Sequence, residues 1–312
     1  MPLMNLPHLH LPLRACLAVL AAFATASADP LPVNTEPFFL DVAMTKASLG
    51  QINRTEAVVA YQTYATAYAR SAGFDIVVEA RVFDDVEELL AAALRGENKA
   101  LGLQVQEYFQ IRQQVPLDLV FVARQGGQTT ETFVLLVRDD SGITDLGQLR
   151  GRSLLRCENR QTGLAAMWLE VTLAEAGLGP SKALLQSINT NGTVASTVLP
   201  VFFGKTDVCL VTQSGFETMA ELNPQISRQL RVLASSPPVI AFITAMRSDF
   251  TGTNRDRTEK AYLEAHLTPP GRQVLTLFGD AGVERCVESD LQSSLEIIQS
   301  YQRLSEPENP TP

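Results

Sequence analysis

Histidine is scarce in this sequence, and that scarcity excludes much. Three histidines occur in 312 residues. His8 and His10 precede an apolar N-terminal run, and His266 follows Glu264 in a polar, helix-like stretch. HExxH, GxSxG, a phosphate-binding loop and a dinucleotide fingerprint are all missing. Asp84-Asp85 and Glu87-Glu88 are adjacent carboxylates, but they stand at a helix start, where capping and the helix dipole account for them. Catalysis needs a tuned acid, base or nucleophile, so no enzyme is expected and no catalytic residue is assigned. Positive charge is short as well: 25 Lys and Arg against 34 Asp and Glu leave a net charge of -9. Nucleic-acid binding needs a basic surface, so no such partner is expected. An anionic small ligand is still compatible, because a buried site responds to local donors rather than to net charge. The four cysteines fall in no CxxC or metal-ligand spacing, and neither a metal nor a cofactor is expected.

Long apolar runs are also absent, except near the start. Residues 1–28 hold one charge, Arg14, then the apolar run Ala15–Ala24 and the small-x-small pattern Ala26-Ser27-Ala28. This reads as an export signal cleaved after Ala28, and the run is too short for the roughly 20 residues of a spanning helix. The expected location is the periplasm. Cleavage removes Cys16 and leaves Cys157, Cys209 and Cys286, an odd number. Cys157 and Cys209 lie in strand-like runs of the same half, and a disulfide between them stays open against buried free thiols.

What is present is a repeated alternation of strand-like and helix-like segments. Phe38–Thr45, Asp75–Phe83, Lys99–Leu103 and Leu117–Ala123 read as strands. Between them lie a helix at Arg54–Ser71 capped by Asn53, one after the Asp84/Glu87 cap, and a short one near Gln106–Gln113. Thr132–Arg138 reads as a strand pairing with its predecessor. The order then restarts with strands at Ser153–Cys157, Ala183–Ile188, Asp207–Thr212 and Arg231–Ala234. Their helices are Thr162–Ala176, Thr193–Phe203 and a segment opened by Ser214 with Glu217. Val239–Met246 is strand-like, and the tail is helical. The expected fold class is α/β with two lobes, each an open, mostly parallel sheet flanked by helices, joined by two hinge crossings. Residues 29–135 with 240–312 form the first lobe and residues 136–239 the second.

The run Phe133–Arg138, Asp140-Ser141-Gly142-Ile143 and Asp145-Leu146-Gly147-Gln148-Leu149-Arg150-Gly151-Arg152 resembles the hinge strand and following turn of type 2 periplasmic solute-binding proteins. The nearest likeness is to the phosphate/phosphonate-type binding components of ABC transporters. Phe203–Cys209, Arg231–Pro238 and the Pro270-Gly271 helix fit the same scheme. The resemblance implies a monomer that closes on a small molecule and presents it to an ABC transporter permease; a membrane receptor is the alternative partner. It also implies a cleft at the carboxyl ends of the strands, the general ligand position in open α/β sheets. Read onto this sequence, the first lobe supplies Thr45, Lys46, Ser48, Gln104 and Tyr108. The second supplies Arg160, Gln161, Thr162 and Gly163, then Asn191 and Thr193, then Thr212, Gln213 and Ser214. Several of these loops run into helix starts, whose free N–H groups suit anions. The loop Glu158–Gly163 departs from the Ser/Thr-rich phosphonate pattern and keeps only Thr162-Gly163 of it. The ligand is therefore open between a phosphonate- or phosphate-like oxyanion and another polar organic molecule.

Overall fold

The computed structural model describes residues 37–305; the expected export signal falls outside them. Two sheets organise the chain. The first contains β1 (Phe38–Thr45), β2 (Ile76–Phe83), β3 (Ala100–Gln104), β4 (Leu117–Arg124), β10 (Phe242–Arg247) and β11 (Gly282–Arg285). Its order is β11-β4-β10-β3-β1-β2. The second contains β5 (Phe133–Arg138), β6 (Ser153–Cys157), β7 (Ser187–Asn191), β8 (Val208–Thr212) and β9 (Leu230–Ser235) in the order β7-β6-β8-β5-β9. In each, the strands joined by helices run parallel, β1 with β2 and β3, β6 with β7 and β8. The strands reached through the crossings are antiparallel to their neighbours.

The strands form where apolar runs are short and bounded. β3 and β8 are buried along their whole length, as expected of central strands covered by helices on both faces. Helix ends follow the local code: Asn53 accepts hydrogen bonds from Thr55 and Glu56 N–H, and Gly279 closes the helix Pro269–Phe278 in a left-handed conformation.

Three local expectations are corrected. β5 does not pair with β4; it lies between β8 and β9, in register Phe133 to Thr212 and Val134 to Ser235. Its five successive buried residues need a neighbour on each side, while both edges of β4 are taken by β10 and β11. Ala183-Leu184 belongs to a helical turn, Ser181–Leu184, that follows Pro180 and is pinned by Glu170 at Ser181 N–H (2.9 Å); the strand begins later, at Ser187. Asp85, not Asp84, caps the helix Val86–Leu94, accepting from Glu88 N–H at 2.9 Å.

The crossings, residues 125–132 and 236–241, are tied together. Glu131 and Val239 exchange backbone hydrogen bonds of 2.8 and 2.9 Å. Ser294, on the C-terminal helix Gln292–Ser305, bonds both N–H and C=O of Ile240, at 3.0 and 2.9 Å. That helix packs on Ala165–Glu175 beside the second sheet. Cys157, Cys209 and Cys286 are buried and free, so the open disulfide is not formed. Burial pushes the Cys286 thiol up to about 12. Among the described residues no helix is long and apolar enough to cross a membrane.

Candidate functional site

The carboxyl ends of β1 and β3 carry the first half of a cleft. Thr45 caps the turn Lys46–Leu49, accepting from Ser48 N–H at 3.1 Å, and Ser48 Oγ donates back to Thr45 O at 2.8 Å. Thr45 Oγ1 also donates to Glu107 at 2.8 Å, and the same carboxylate oxygen accepts from Gln104 N–H at 2.9 Å. Burial raises the Glu107 pKa above the ordinary carboxyl value; the bonds from Gln104 and Thr45 offset part of that rise. Glu107 thus clamps two strand ends together beneath the cleft. Gln104 reaches outward: its Nε2 donates to Ala47 O at 3.1 Å and, across the cleft, to Arg160 O at 3.0 Å. Two carbonyl acceptors fix the amide's orientation. Its Oε1 is consequently left buried with no partner.

The other half comes from the segment after β6. Asn159 accepts from Gln161 N–H at 2.9 Å, and Thr162 Oγ1 accepts from Asn159 N–H at 2.9 Å. This tight turn throws Arg160 into the first lobe. Its Nη1 donates to Asp280 Oδ1 and Oδ2 at 3.0 and 3.2 Å and to Phe278 O at 2.9 Å. Its guanidinium lies 3.8 Å from the centre of the Phe242 ring. The side chains of Arg160 and Asp280 are 8% and 7% exposed, which makes this a desolvated ion pair between lobes. Gln161 Nε2 donates to Gln125, whose own Nε2 donates to Asp280 at 2.9 Å. The backbones nearly touch: a Cβ on Gly50, itself at φ +61, would stand 2.8 Å from Arg160 N. A Cβ on Gly163 would collide with Gln104 Oε1.

Three cavities surround this contact. One of about 480 Å³ opens between Lys46, Gln104, Gln106, Arg156, Thr162 and Gly163, with Asp84 and Glu158 also in its lining. A second, of about 460 Å³, lies toward the crossings, among Gln125, Thr130, Glu131, Gln161, Gln213 and Ser214. The third, about 80 Å³, is aromatic and sits inside the first lobe behind Arg160.

The sequence-derived candidates divide accordingly. Lys46, Gln104, Thr162 and Gly163 meet at the first cavity, and Arg160, Gln161, Gln213 and Ser214 at the second. Ser214 donates to Glu131 and does not cap its helix; Thr212 does, accepting from Gly215 N–H at 3.3 Å. Thr193 caps the helix Val194–Phe202 through Ser196 N–H at 3.2 Å, and Asn191 donates to Ser196 O at 2.7 Å. Thr45 and Ser48 are fully buried in their own turn. Tyr108 is core, its hydroxyl donating to Glu288. Gln106 and Glu107 lie in the expected cleft loop Gln104–Tyr108 but were not singled out; Gln125, Phe242 and Asp280 were not foreseen. Glu107, three residues after Gln104, carried a capping-box signal; Asp280 carried none. Among the described residues no three His, Cys, Asp or Glu side chains converge as metal ligands.

A family model described as ABC transporter, phosphonate, periplasmic substrate-binding protein matches residues 51–291. Among solved structures, a Xanthomonas citri protein bound to chloride superposes with TM-score 0.62 at 18% identity, over 86% of this chain and 98% of that one. PhnD1 of Prochlorococcus marinus in complex with methylphosphonate gives 0.58 at 13%, over 86% and 100%. A binding-protein component of an ABC phosphonate transporter from Pseudomonas aeruginosa gives 0.58 at 12%, over 86% and 88%. At these identities the likenesses show the two-lobed fold. No curated protein matches the sequence.

Proposed function

The chain belongs to the family of periplasmic substrate-binding proteins of phosphonate-type ABC transporters, and from that premise we propose that it captures a small polar ligand bearing an anionic group in the cavity between Lys46, Gln104, Thr162 and Gly163. The observation that carries this reading is Gln104: a buried side chain, bridging both lobes, with an acceptor oxygen that has no partner. Unpaired buried acceptors are costly; Gly163 covers Oε1 in this arrangement, so a ligand N–H or O–H would reach it as the lobes part and remove that cost. Lys46 supplies a cation to the same cavity and enters no ion pair among the described residues. A volume of about 480 Å³ suits a small molecule. The lobes are joined by two crossings that meet at Glu131 and Val239, so they can part and close about that line.

In this reading the chain binds and does not transform its ligand, is exported by cleavage after Ala28, and acts as a monomer that delivers its ligand to the permease. The test is a thermal-shift panel of phosphate, alkylphosphonates, sulfonates and polar metabolites on residues 29–312. At least one compound should raise the melting temperature by linkage, and Gln104→Ala should abolish the rise. A panel with no response, or a rise indifferent to Gln104→Ala, would overturn the assignment.

A further inference from the structure

The aromatic cavity behind Arg160 has the makings of a cation site. Its walls include Tyr61, Phe242, Tyr262 and Phe278. Tyr61 and Phe278 meet edge to face, 6.0 Å between centres, and the Tyr61 and Tyr262 hydroxyls are 3.2 Å apart. Burial raises the pKa of both tyrosines, so they stay neutral. Among the described residues lining the cavity, Asp280 is the single carboxylate. Aromatic faces attract cations and repel anions, and desolvation strengthens the effect. Two arginines in the lining of this cavity use this property. Arg160 stacks 3.8 Å from the Phe242 centre and 5.4 Å from that of Phe278. Arg257, also in the cavity's lining, lies 4.5 Å over Phe74.

Arg160 fits this place incompletely. A single nitrogen, Nη1, makes the contacts to Asp280 and Phe278, while Nε is buried with no partner. A buried charge held through one nitrogen fastens the lobes, yet a cation that satisfies all its donors there could displace it. It also arrives from the opposite lobe, by the same segment that carries Gln161, Thr162 and Gly163 to the cleft.

We propose that the pocket formed by Tyr61, Phe242, Phe278 and Asp280 is a binding subsite for an alkylguanidinium group, and that Arg160 fills it as an intramolecular stand-in. A ligand carrying that group stacks on Phe242, pairs with Asp280 and displaces Arg160 into the cleft, where Arg160 meets the ligand's anionic end. The inference rests on the reading that ligand enters between the lobes, and it narrows the ligand to a molecule with a planar cation as well as an anion.

N-ethylguanidinium is the probe, followed by calorimetry and thermal shift on residues 29–312. Arg160→Ala vacates the pocket and should lower the melting temperature; the probe should restore part of that loss saturably. It should bind the variant roughly tenfold or more tighter than the wild type, because the wild-type pocket must first release its own occupant. Tetramethylammonium, which cannot stack flat or pair through N–H, should restore less. Asp280→Asn placed on Arg160→Ala should abolish the response. If Arg160→Ala does not fold, Arg160→Gln, which is shorter and uncharged, replaces it, with the same ranking over wild type and the same dependence on Asp280. Equal binding to wild type and variant, or binding indifferent to Asp280→Asn, would overturn the proposal. The two readings fail separately. A metabolite that binds the wild type through Gln104 without any cationic group sinks the guanidinium subsite and leaves the cleft. A probe response in Arg160→Ala with no metabolite bound by the wild type does the reverse.

Discussion

The two lobes repeat one β-α-β order but bring opposite chemistry to the cleft. In the second lobe the polar groups at the strand ends are spent on their own backbone: Thr193 on Ser196, Thr212 on Gly215, Thr162 on Asn159, Asn191 on Ser196. In the first lobe Thr45 and Ser48 are spent in the same way, but a glutamine oxygen is left without a partner and a carboxylate sits in an aromatic wall. Hydroxyls and amides near strand ends are therefore not equivalent. Where a helix starts, the chain's own N–H groups claim them first. In the proposed reading the second lobe is mainly a lid that delivers one cation, Arg160, to the first.

That asymmetry is open to attack. The largest effect is expected from Asp280→Ala, which leaves the Arg160 charge buried and unpaired; one-sided removal of such a pair costs about 3–5 kcal/mol. Chemical denaturation should show most of that loss, reduced by whatever the lobes recover on parting. Gly163→Ala comes next. Its Cβ would meet Gln104 Oε1, and overpacking of this kind costs about 1–3 kcal/mol. It should weaken ligand binding more than unfolding stability, since the clash exists only when the lobes are together. Thr193→Ala and Thr212→Ala should each cost about 1 kcal/mol as lost caps and leave the calorimetric affinity of any ligand unchanged; a lost affinity would return these residues to the site. The smallest effect concerns pH. The folded Glu107 pKa is raised, chiefly by burial, so the folded state holds the proton better than the unfolded chain does. Stability from this group is present below the ordinary carboxyl pKa and is lost as pH rises through the folded value. Glu107→Gln should flatten that decline in melting temperature above the ordinary carboxyl range.

Much of the fold was legible in the sequence because short apolar runs and helix stops are local signals. Pairing was less so: β5 reads as a hairpin partner of β4 until the competition for edges is known, and the two sheets decide that competition together. The candidate site was legible as loops and not as contacts. Lys46, Gln104, Thr162 and Gly163 follow from their positions at strand ends. Asp280 does not, since it meets Arg160 from 120 positions away and follows an ordinary helix end. Phe242 reads as core apolar residue of a strand, and nothing local marks it as the face on which a guanidinium lies.

The central claim is that Arg160 and Asp280 hold the lobes together across the cleft. Small-angle X-ray scattering on residues 29–312, without added ligand, tests it directly. The wild type should have the radius of gyration of the closed arrangement, and Asp280→Ala a larger one at unchanged secondary structure. An equal radius for the two proteins would contradict the account.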